Sequence, residues 1–401
     1  MKTVAIVGAS LAGLSAARSL RGQGYDGRLV IIGDEPHRPY DRPPLSKEFL
    51  TGALDDAELA LETEGEDLGA EWILGARAVG LGTRDRSVRL ADGREVRAEG
   101  VVIATGAAAR TLPGTDGLVG VHVLRTLDDA RALRDDLACG GRLVVVGGGF
   151  VGAEVASTAR GMGLEVTFVA AGPAPLAGAL GPDMAAAVSL LHGDHGVRLL
   201  CGTGVRGMTS RPDDGSGEGR ERVTAVLLDD GRSIPADTVV VGIGATPCTG
   251  WLEGSGVVLD NGVRCGADGT TSVPGVVAVG DCAAWYDPVL GVHRRVEHWT
   301  GAKERPSAAA AALLSGGDVP STPPRPPYFW SDQYGVRIQF AGYAAQADSV
   351  TVEDGDPADR SFLAVYRRAG HPVAALGVNR VKPFTRWRRQ LATATVRAGT
   401  S

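Results

Sequence analysis

The run TVAIVGASLAGLSAARSL, residues 3–20, decides the fold of the N-terminal part of the chain. Its apolar start, Thr3–Val7, predicts a buried parallel strand, and Leu11–Leu20 continues with the spacing of a helix. A second apolar strand is predicted at Arg28–Ile32. Strand, helix and strand form a βαβ unit, whose crossover is expected to be right-handed.

The turn between this strand and helix has the pattern GxSxxG, with Gly8, Ser10 and Gly13 at its marked positions. Glycines in such turns allow a tight bend and the close approach of a pyrophosphate to the helix N-terminus. An acid that binds ribose hydroxyls is expected ~20 residues further on, where Asp34 and Glu35 stand. These features indicate a nucleotide site; the alternative is a glycine-rich helix start without a ligand.

A second copy of the unit begins about 140 residues later, with RLVVVGGGFVG at residues 142–152. The strand Gly141–Val146 leads to a complete GxGxxG pattern whose glycines are Gly147, Gly149 and Gly152; a helix from Val151 and a strand at Glu165–Val169 follow. The position of the ribose acid holds Ala170, and no arginine that could meet a 2′-phosphate follows it. This pattern leaves the choice between NADH and NADPH open.

Two such units in one chain predict an α/β fold with two Rossmann-like dinucleotide-binding domains and a small α+β C-terminal domain. A later strand and turn, Val276–Asp281, indicates that the second unit is inserted into the first. The predicted domains are 1–114 with 243–320, then 115–242, then 321–401. Strands are also expected at Val101–Ala104 and Thr238–Val241, and strand-like alternation covers Phe329–Phe340 and Phe362–Val378.

Two segments are expected at the surface. The Gly-rich, charged run Ser210–Arg222 predicts a hairpin tip, and the Pro-rich run Gly316–Pro327 predicts a stiff linker.

Composition narrows the function classes. The chain has 401 residues, 44% of them hydrophobic, and a net charge of -6. The charge disfavours nucleic acid as the main ligand. Five scattered cysteines without a CxxC pair favour a reducing cytoplasm and predict no metal site. The apolar run after Lys2 has a signal peptide as its less favoured interpretation, and the sequence offers no run of ~18–20 apolar residues that would span a membrane.

Two nucleotide folds in one chain indicate an electron relay between a permanently held flavin and a visiting nicotinamide. The dipeptide Gly280-Asp281 supports this interpretation because it follows the apolar strand Val276–Val279. A carboxylate in that position can accept hydrogen bonds from the ribityl hydroxyls of a flavin.

The chain resembles the FAD-dependent ferredoxin reductases that serve bacterial oxygenases, a family with a glutathione-reductase-like fold. The resemblance covers nearly the whole chain. GDEPHRPYDRPPLSK at Gly33–Lys47 and YFWSDQY at Tyr328–Tyr334 are specific to the family. Other segments are shared with the wider class of pyridine-nucleotide flavoproteins: Ala104-Thr105-Gly106, Leu124-Arg125-Thr126, Gly147–Glu154, Gly242–Pro247 with Gly242 and Gly244, Val279–Ala283, Glu297–Thr300 and Gly377–Arg380.

The resemblance implies a role for each matching residue in the FAD part of the site. Ala12 meets the FAD pyrophosphate, Asp34 holds the adenosine ribose and the backbone of Val79 contacts adenine. Lys47 lies beside the flavin ring, where a cation stabilises a reduced, anionic flavin. Arg125 reaches the FAD phosphates or the ring edge.

Three further residues are placed near the reacting rings by the same resemblance. Glu154 lies near the nicotinamide, Trp299 lies on or beside the flavin ring, and Phe150 flanks the dinucleotide passage. Each has a plain alternative: a first-turn acid for Glu154, a core tryptophan for Trp299 and simple packing for Phe150.

The chain departs from the family at three places. After EHWT it has Gly301-Ala302 and then Arg305-Pro306, where the family usually has Asn-Ala and Gln-Gly. Cys248 replaces the asparagine that usually follows GIGxxP. Pro306 is tolerable only in the first turn of a helix. The resemblance implies that this helix points its N-terminus at the pyrimidine edge of the flavin, so an altered flavin potential or packing is expected.

The resemblance implies that FAD takes hydride from NAD(P)H and passes single electrons to an iron–sulfur ferredoxin, which feeds an oxygenase. An acidic carrier requires a basic docking face, and the candidate residues are Arg294, Arg295, Arg305 and the run Arg386-Trp387-Arg388-Arg389. A relative that reduces rubredoxin or a small acceptor, and a non-catalytic FAD-binding scaffold, are the alternatives.

Overall fold

The computed structural model describes residues 1–84, 86–213, 219–317 and 325–398. The first unit is a five-stranded parallel sheet built on the predicted strand Thr3–Val7, which is buried except for Thr3. Apolar residues fill both faces because helices or smaller sheets cover each side. The strands occur in the spatial order Val276–Ala278, Gly100–Ile103, Thr3–Val7, Arg28–Ile32 and Ala70–Ile73.

The strand Val276–Ala278 joins this first sheet beside Gly100–Ile103, although the second unit lies between the two in the sequence. The helix Leu11–Gly22 packs against the late helix Pro306–Ser315. The chain therefore returns to its first sheet after completing the second unit. Smaller pieces complete this unit: strands Ala78–Gly82, Ser87–Leu90, Glu95–Arg97, Val263–Cys265, Ala283–Asp287 and Val292–Arg295, the helix Trp299–Glu304, and single turns at Pro43–Ser46, Ala57–Leu59, Gly250–Leu252 and Gly280–Cys282.

The second unit repeats the design around the strand Arg142–Val146, which pairs in parallel with Glu165–Ala170 and Thr238–Val241. Its five strands lie in the order Arg198–Cys201, Glu165–Ala170, Arg142–Val146, Thr238–Val241 and Val121–His122. The other elements are the helices Leu127–Ala138, Phe150–Gly161, Ala177–Leu180 and Pro182–Asp194 and the strands Val205–Pro212, Glu221–Leu228 and Ser233–Pro235.

A short antiparallel pair, Ala107–Ala109 with Ala245–Pro247, lies where the chain leaves the first unit and returns to it. The strands Val205–Pro212 and Glu221–Leu228 form the predicted hairpin. Its tip at 214–218, and 318–324 of the predicted linker, lie outside the described residues.

The third unit is a five-stranded antiparallel sheet in the order Tyr328–Gln333, Val336–Gly342, His371–Val378, Ser361–Arg368 and Ser349–Asp356. One face packs on the second unit near Leu180 and Leu191. The other face is covered by the helix Val381–Ala398 through Phe384 and Leu391. Short turns lie at Ala344–Gln346 and Pro357–Asp359.

The strand-like alternation predicted for two runs of the third unit is confirmed, and each run is a hairpin of two strands. Tyr334-Gly335 and Ala369-Gly370 form the turns, with φ of 53°, 74°, 49° and 79°. Positive φ at both central residues gives the twist that a two-residue hairpin needs, and Asn-Gly is its usual sequence signal. Tyr-Gly and Ala-Gly lack that signal, so the sequence does not mark a turn inside either run. The helix Val381–Ala398 was not predicted.

The predicted α/β fold class is confirmed. Pro306 is the first residue of its helix, as expected from its missing N–H and fixed φ. In the part of the chain that the structure describes, no helix combines the length and apolar character that crossing a membrane requires.

Candidate functional site

A cavity of about 260 Å³ opens where the glycine turn of the first unit faces the helix Phe150–Gly161 of the second. Side chains from several distant parts of the sequence meet there. Nine residues that the sequence singled out line it: Ser10, Ala12, Gly106, Arg125, Val151, Glu154, Gly280, Asp281 and Trp299.

The glycines of the first turn are required by close backbone packing. A Cβ atom on Gly8, where φ is +123°, would lie 2.0 Å from the Ala104 carbonyl oxygen, and one on Gly13 would lie 1.9 Å from the Gly8 carbonyl oxygen. Gly280 faces the same turn, since a Cβ there would be 2.8 Å from that of Ala12. The start of the helix thus lies directly against the turn that carries Asp281.

Two acid–arginine pairs stand at the edge of the cavity. Arg125 Nη2 lies 2.6 Å from Asp281 Oδ2. Arg42 Nη2 donates to Glu35 at 2.6 Å, and Arg42 Nη1 donates to the Arg125 carbonyl. Arg42 therefore links the segment after the second strand to the residue that pairs with Asp281. Tyr40 completes the link because its hydroxyl donates to Glu35 and accepts from the N–H of Leu127.

Glu154 and Lys47 form a buried ion pair beside the cavity. Glu154 is 7% exposed, and its Oε2 lies 2.8 Å from Lys47 Nζ. Ser46 Oγ donates to the same oxygen at 2.5 Å, while Ser331 Oγ donates to Oε1 at 2.8 Å. Residues 47 and 154, assigned to one reaction centre from the resemblance, are thus in direct contact.

Trp299 lies across the cavity, with its indole N–H donating to Asp41 Oδ1 at 2.7 Å. Burial raises the pKa of Asp41, against the opposing effect of this hydrogen bond and of Lys47. Lys303 lies over the Trp299 ring at 4.8 Å, and Trp330 meets it edge-on at 5.9 Å. Contacts on two sides therefore fix the position of the Trp299 ring.

The second glycine turn shows the same backbone packing. A Cβ on Gly147, at φ +110°, would lie 2.3 Å from the Gly242 carbonyl oxygen, and one on Gly152 would lie 2.7 Å from the Gly147 carbonyl oxygen. Gly149 begins the helix as its N-cap, and no described atom lies closer than 3.7 Å to a Cβ placed there. Gly244 also has positive φ, +105°. Ala170 is fully buried at the end of its strand.

The remaining predicted residues lie outside the cavity lining. Asp34 follows the strand Arg28–Ile32 and pairs with Arg77 at 3.1 Å in solvent. Val79 is 49% exposed. Thr105 Oγ1 donates to the Cys248 carbonyl at 2.7 Å.

Phe150 packs on Phe329 with ring centroids 4.4 Å apart. This contact joins the helix of the second glycine turn to the third sheet. Packing is one of the two interpretations that the sequence left open for this residue, and the contact does not conflict with the other.

For two of the arginines expected on a docking face, the prediction is wrong because their side chains are largely buried. Arg295 is 10% exposed and is held by Glu297 and by the Asp281 carbonyl. Arg305 lies over the Trp285 ring at 5.0 Å, and burial lowers the pKa of its guanidinium. Arg294 lies over the ring of Tyr343 and Arg388 over that of Tyr328, whereas Arg386 and Arg389 are exposed.

The sequence reasoning missed four residues of the site: Asp41, Arg42, Ser46 and Ser331. Three of them lie inside the quoted run Gly33–Lys47, so their polarity between prolines was an available signal. Ser331 is fully buried on a strand whose other inward residues are Phe329 and Gln333. A polar residue on the buried face of an alternating strand is the signal that could have found it.

Comparison with known proteins places this geometry in a family. A profile for pyridine nucleotide-disulphide oxidoreductases matches residues 2–311, and a reductase C-terminal profile matches residues 328–399. The benzene 1,2-dioxygenase system ferredoxin–NAD(+) reductase subunit of Pseudomonas putida is 39% identical over 84% of this chain and 80% of its own length. Putidaredoxin reductase of Pseudomonas putida is 36% identical over 95% of this chain and 89% of its own.

Solved structures agree. The covalent putidaredoxin reductase–putidaredoxin complex contains a chain that matches with a TM-score of 0.91 at 32% identity, covering 98% of this chain and 93% of that one. The family profile covers well over half of the present sequence, and the curated relatives match along most of their own length. The chain is therefore an oxidoreductase of the pyridine nucleotide-disulphide oxidoreductase family, with the reductase C-terminal domain that follows it.

Proposed function

We propose that this chain is an NADH-dependent, FAD-containing reductase that delivers single electrons to an iron–sulfur ferredoxin serving an oxygenase. One observation carries the proposal: a helix N-terminus at a glycine turn, the Asp281 carboxylate and Glu154, which is paired with Lys47, border one cavity. The relatives named as ferredoxin reductase components of dioxygenase systems support the choice of acceptor.

The residues around the first glycine turn fit FAD. Gly8 and Gly13 leave no room for side chains, so the backbone at the helix start can approach a pyrophosphate closely. Ser10 is the N-cap of Leu11–Gly22, and no side chain among the described residues caps that helix, which leaves its first N–H groups for a ligand. We expect Asp281 to accept hydrogen bonds from the ribityl hydroxyls and Asp34 to accept those of the adenosine ribose.

When bound, FAD supplies a hydride acceptor that releases electrons one at a time. Lys47 contributes a positive charge fixed by Glu154 and by the Pro43 carbonyl, and a fixed charge costs no reorganisation during reaction. Trp299 lines the cavity and donates its indole N–H to Asp41, which fixes an aromatic face beside the bound ring. Arg125 neutralises the charge of Asp281 beside the same cavity.

The second glycine turn is the proposed nicotinamide site. Gly149 offers an open approach to the N-terminus of Phe150–Gly161, where the dipole favours phosphate. We assign NADH as the donor because relatives are named ferredoxin–NAD(+) reductases and because no arginine follows Ala170 to bind a 2′-phosphate. Glu154 is the fifth residue of this helix, beyond its first turn, and borders the cavity, close to where we expect a nicotinamide to meet the flavin.

We assign a separate role to each of the three units. Residues 1–114 and 243–320 hold FAD, 115–242 hold NADH, and 321–401 supply an interface. The exposed arginines Arg386 and Arg389 offer positive charge on the third unit to an acidic ferredoxin. We place the protein in the cytoplasm, where NADH and ferredoxin are both available.

Anaerobic stopped-flow absorbance of the purified flavoprotein is the direct test. We expect rapid bleaching by NADH, slower bleaching by NADPH, and ferredoxin-dependent reduction of cytochrome c. Bleaching without any ferredoxin dependence would instead identify a reductase of rubredoxin or of a small acceptor. A flavin that neither nucleotide reduces would contradict the proposal and leave a non-catalytic FAD-binding scaffold.

A further inference from the structure

The Glu154 carboxylate receives hydrogen bonds from two separate parts of the chain. Lys47 and Ser46 reach Oε2 from the segment after the second strand. Ser331 Oγ at 2.8 Å and the backbone N–H of Asp332 at 3.3 Å reach Oε1 from the edge strand of the third sheet. One carboxylate oxygen thus depends on the first unit and the other on the third.

The orientation of the Ser331 hydroxyl is set by a third buried group. Gln333 Nε2 donates to Ser331 Oγ at 3.1 Å. That bond uses a lone pair of the serine oxygen, so the serine proton is directed to Glu154. Ser331 and Gln333 are 0% and 1% exposed, and within the described chain Gln333 Oε1 has no partner. Both side chains are therefore shielded from bulk solvent.

We propose that Ser331, oriented by Gln333, is a positioning residue of the reductase: it holds the Glu154 carboxylate in the orientation that faces Lys47. This proposal rests on the proposed function. A buried carboxylate is costly unless its oxygens accept hydrogen bonds, and those bonds fix its orientation. Without the serine hydroxyl, Oε1 keeps only the longer bond from the Asp332 N–H among the described residues, and the carboxylate is free to turn away from Lys47.

The other charges near Glu154 act in both directions. Lys47 stabilises the carboxylate through the direct ion pair. Asp332, whose pKa is raised by its own burial, adds negative charge on the strand of Ser331, while Arg337 partly offsets it. Glu48 and Asp41 lie further along the segment that carries Lys47. Ser331 is neutral, so replacing it with alanine changes no charge near Glu154.

The test compares Ser331→Ala with wild type as holoenzyme. We expect the rate of flavin reduction at saturating NADH to fall about tenfold, the effect of losing one buried hydrogen bond to a charged group, while the KM for NADH changes less than about twofold. Infrared difference spectra should show a displaced carboxylate band of Glu154, independently of turnover.

Further variants separate positioning from general damage. Ser331→Thr keeps the hydroxyl and should restore the wild-type rate, and Gln333→Met should give an intermediate loss because the serine loses its orientation. Ser189→Ala is the matched control, since among the described residues that buried serine bonds only the Ala186 carbonyl. In a Glu154→Gln background, Ser331→Ala should cause no further loss.

Equal rates and superimposable infrared bands for wild type and Ser331→Ala would overturn the proposal, as would an equal loss in the Glu154→Gln background. Failure of the proposed function has a different signature. Wild-type flavin would then stay oxidised with either nucleotide, while the infrared comparison would still report whether Ser331 positions Glu154.

Discussion

The two glycine-turn units share their packing and differ at the positions that face a ligand. In each unit the first glycine lies against the carbonyl that ends a neighbouring strand, at Ala104 for Gly8 and at Gly242 for Gly147. The central position is Ser10 in the first unit and glycine in the second.

The acid at the strand end separates the units further. The strand ends Ile32 and Val169 are equivalent in register, so Gly33 and Asp34 of the first unit correspond to Ala170 and Ala171 of the second, where no acid stands. Positions that the backbone cannot vary are therefore alike in both units. Positions that touch only the ligand have diverged, as expected if one site holds its nucleotide permanently and the other exchanges it.

The largest expected difference in stability is between the variants Gly8→Ala and Gly149→Ala. The first places a Cβ 2.0 Å from a backbone oxygen at φ +123°, so neither rotation nor side-chain movement relieves it. We expect a loss of about 4 kcal/mol or more, measured as collapse of soluble, flavin-containing protein. Gly149→Ala should fold normally with full flavin and lose only nicotinamide affinity. Equal damage from both would contradict the distinction between packing and ligand positions.

A second prediction concerns the stability of the second unit at acidic pH. Burial lowers the pKa of His192 from 6.5 to about 4, and its Nδ1 lies 2.7 Å from the Tyr334 hydroxyl, so this histidine joins the second unit to the third sheet. Below pH 6.5 the unfolded chain takes up a proton that the folded site resists. Stability is therefore lost as pH falls from 6.5 towards 4, by up to about 3 kcal/mol.

Urea-unfolding midpoints across this pH range measure this loss of stability. His192→Gln should flatten the profile between pH 6.5 and 4, whereas the exposed His371→Gln should leave it unchanged. A His192→Gln profile as steep as that of wild type would show that another group causes the loss.

A third prediction restores the missing acid. Ala170→Asp is expected to favour NADH over NADPH by a further tenfold or so, because the carboxylate accepts ribose hydroxyls and repels a 2′-phosphate, at about 1.5 kcal/mol. KM values for both nucleotides in flavin reduction measure it. Ala170→Asn has similar size without charge and should move the ratio much less. An unchanged ratio would mean that the strand end does not meet the ribose.

The smallest expected effect on stability comes from an ion pair of the first unit. Arg18 donates to both oxygens of Glu66 and thereby lowers the pKa of that carboxyl from 4.5 to about 2. The stabilisation is present above pH 4.5 and is lost as pH falls towards 2. Glu66→Gln should cost under about 1 kcal/mol at neutral pH, because much of this surface pair is screened.

Thermal unfolding at pH 7 and at pH 2.5 checks this prediction. The difference between variant and wild type should shrink at the lower pH. A constant difference would point to packing of the glutamate stem as the cause.

Much of the fold was predictable because it depends on local patterns. Apolar strands ending in glycine turns gave Thr3–Val7, Arg28–Ile32 and Thr238–Val241 with the bounds observed. The hairpins of the third sheet were not resolved, since Tyr-Gly and Ala-Gly are weak turn signals. The helix Val381–Ala398 was missed although it carries the arginines considered for docking.

The site divides in the same way. The sequence by itself determined the two glycine turns, because the backbone there tolerates no Cβ, and it determined the insertion of one unit into the other. Only the tertiary structure decided that Glu154 meets Lys47 on one oxygen and Ser331 on the other, and that Arg295 and Arg305 are buried. Those contacts join residues more than a hundred positions apart, and no local pattern records which of many polar side chains become neighbours when three sheets pack together.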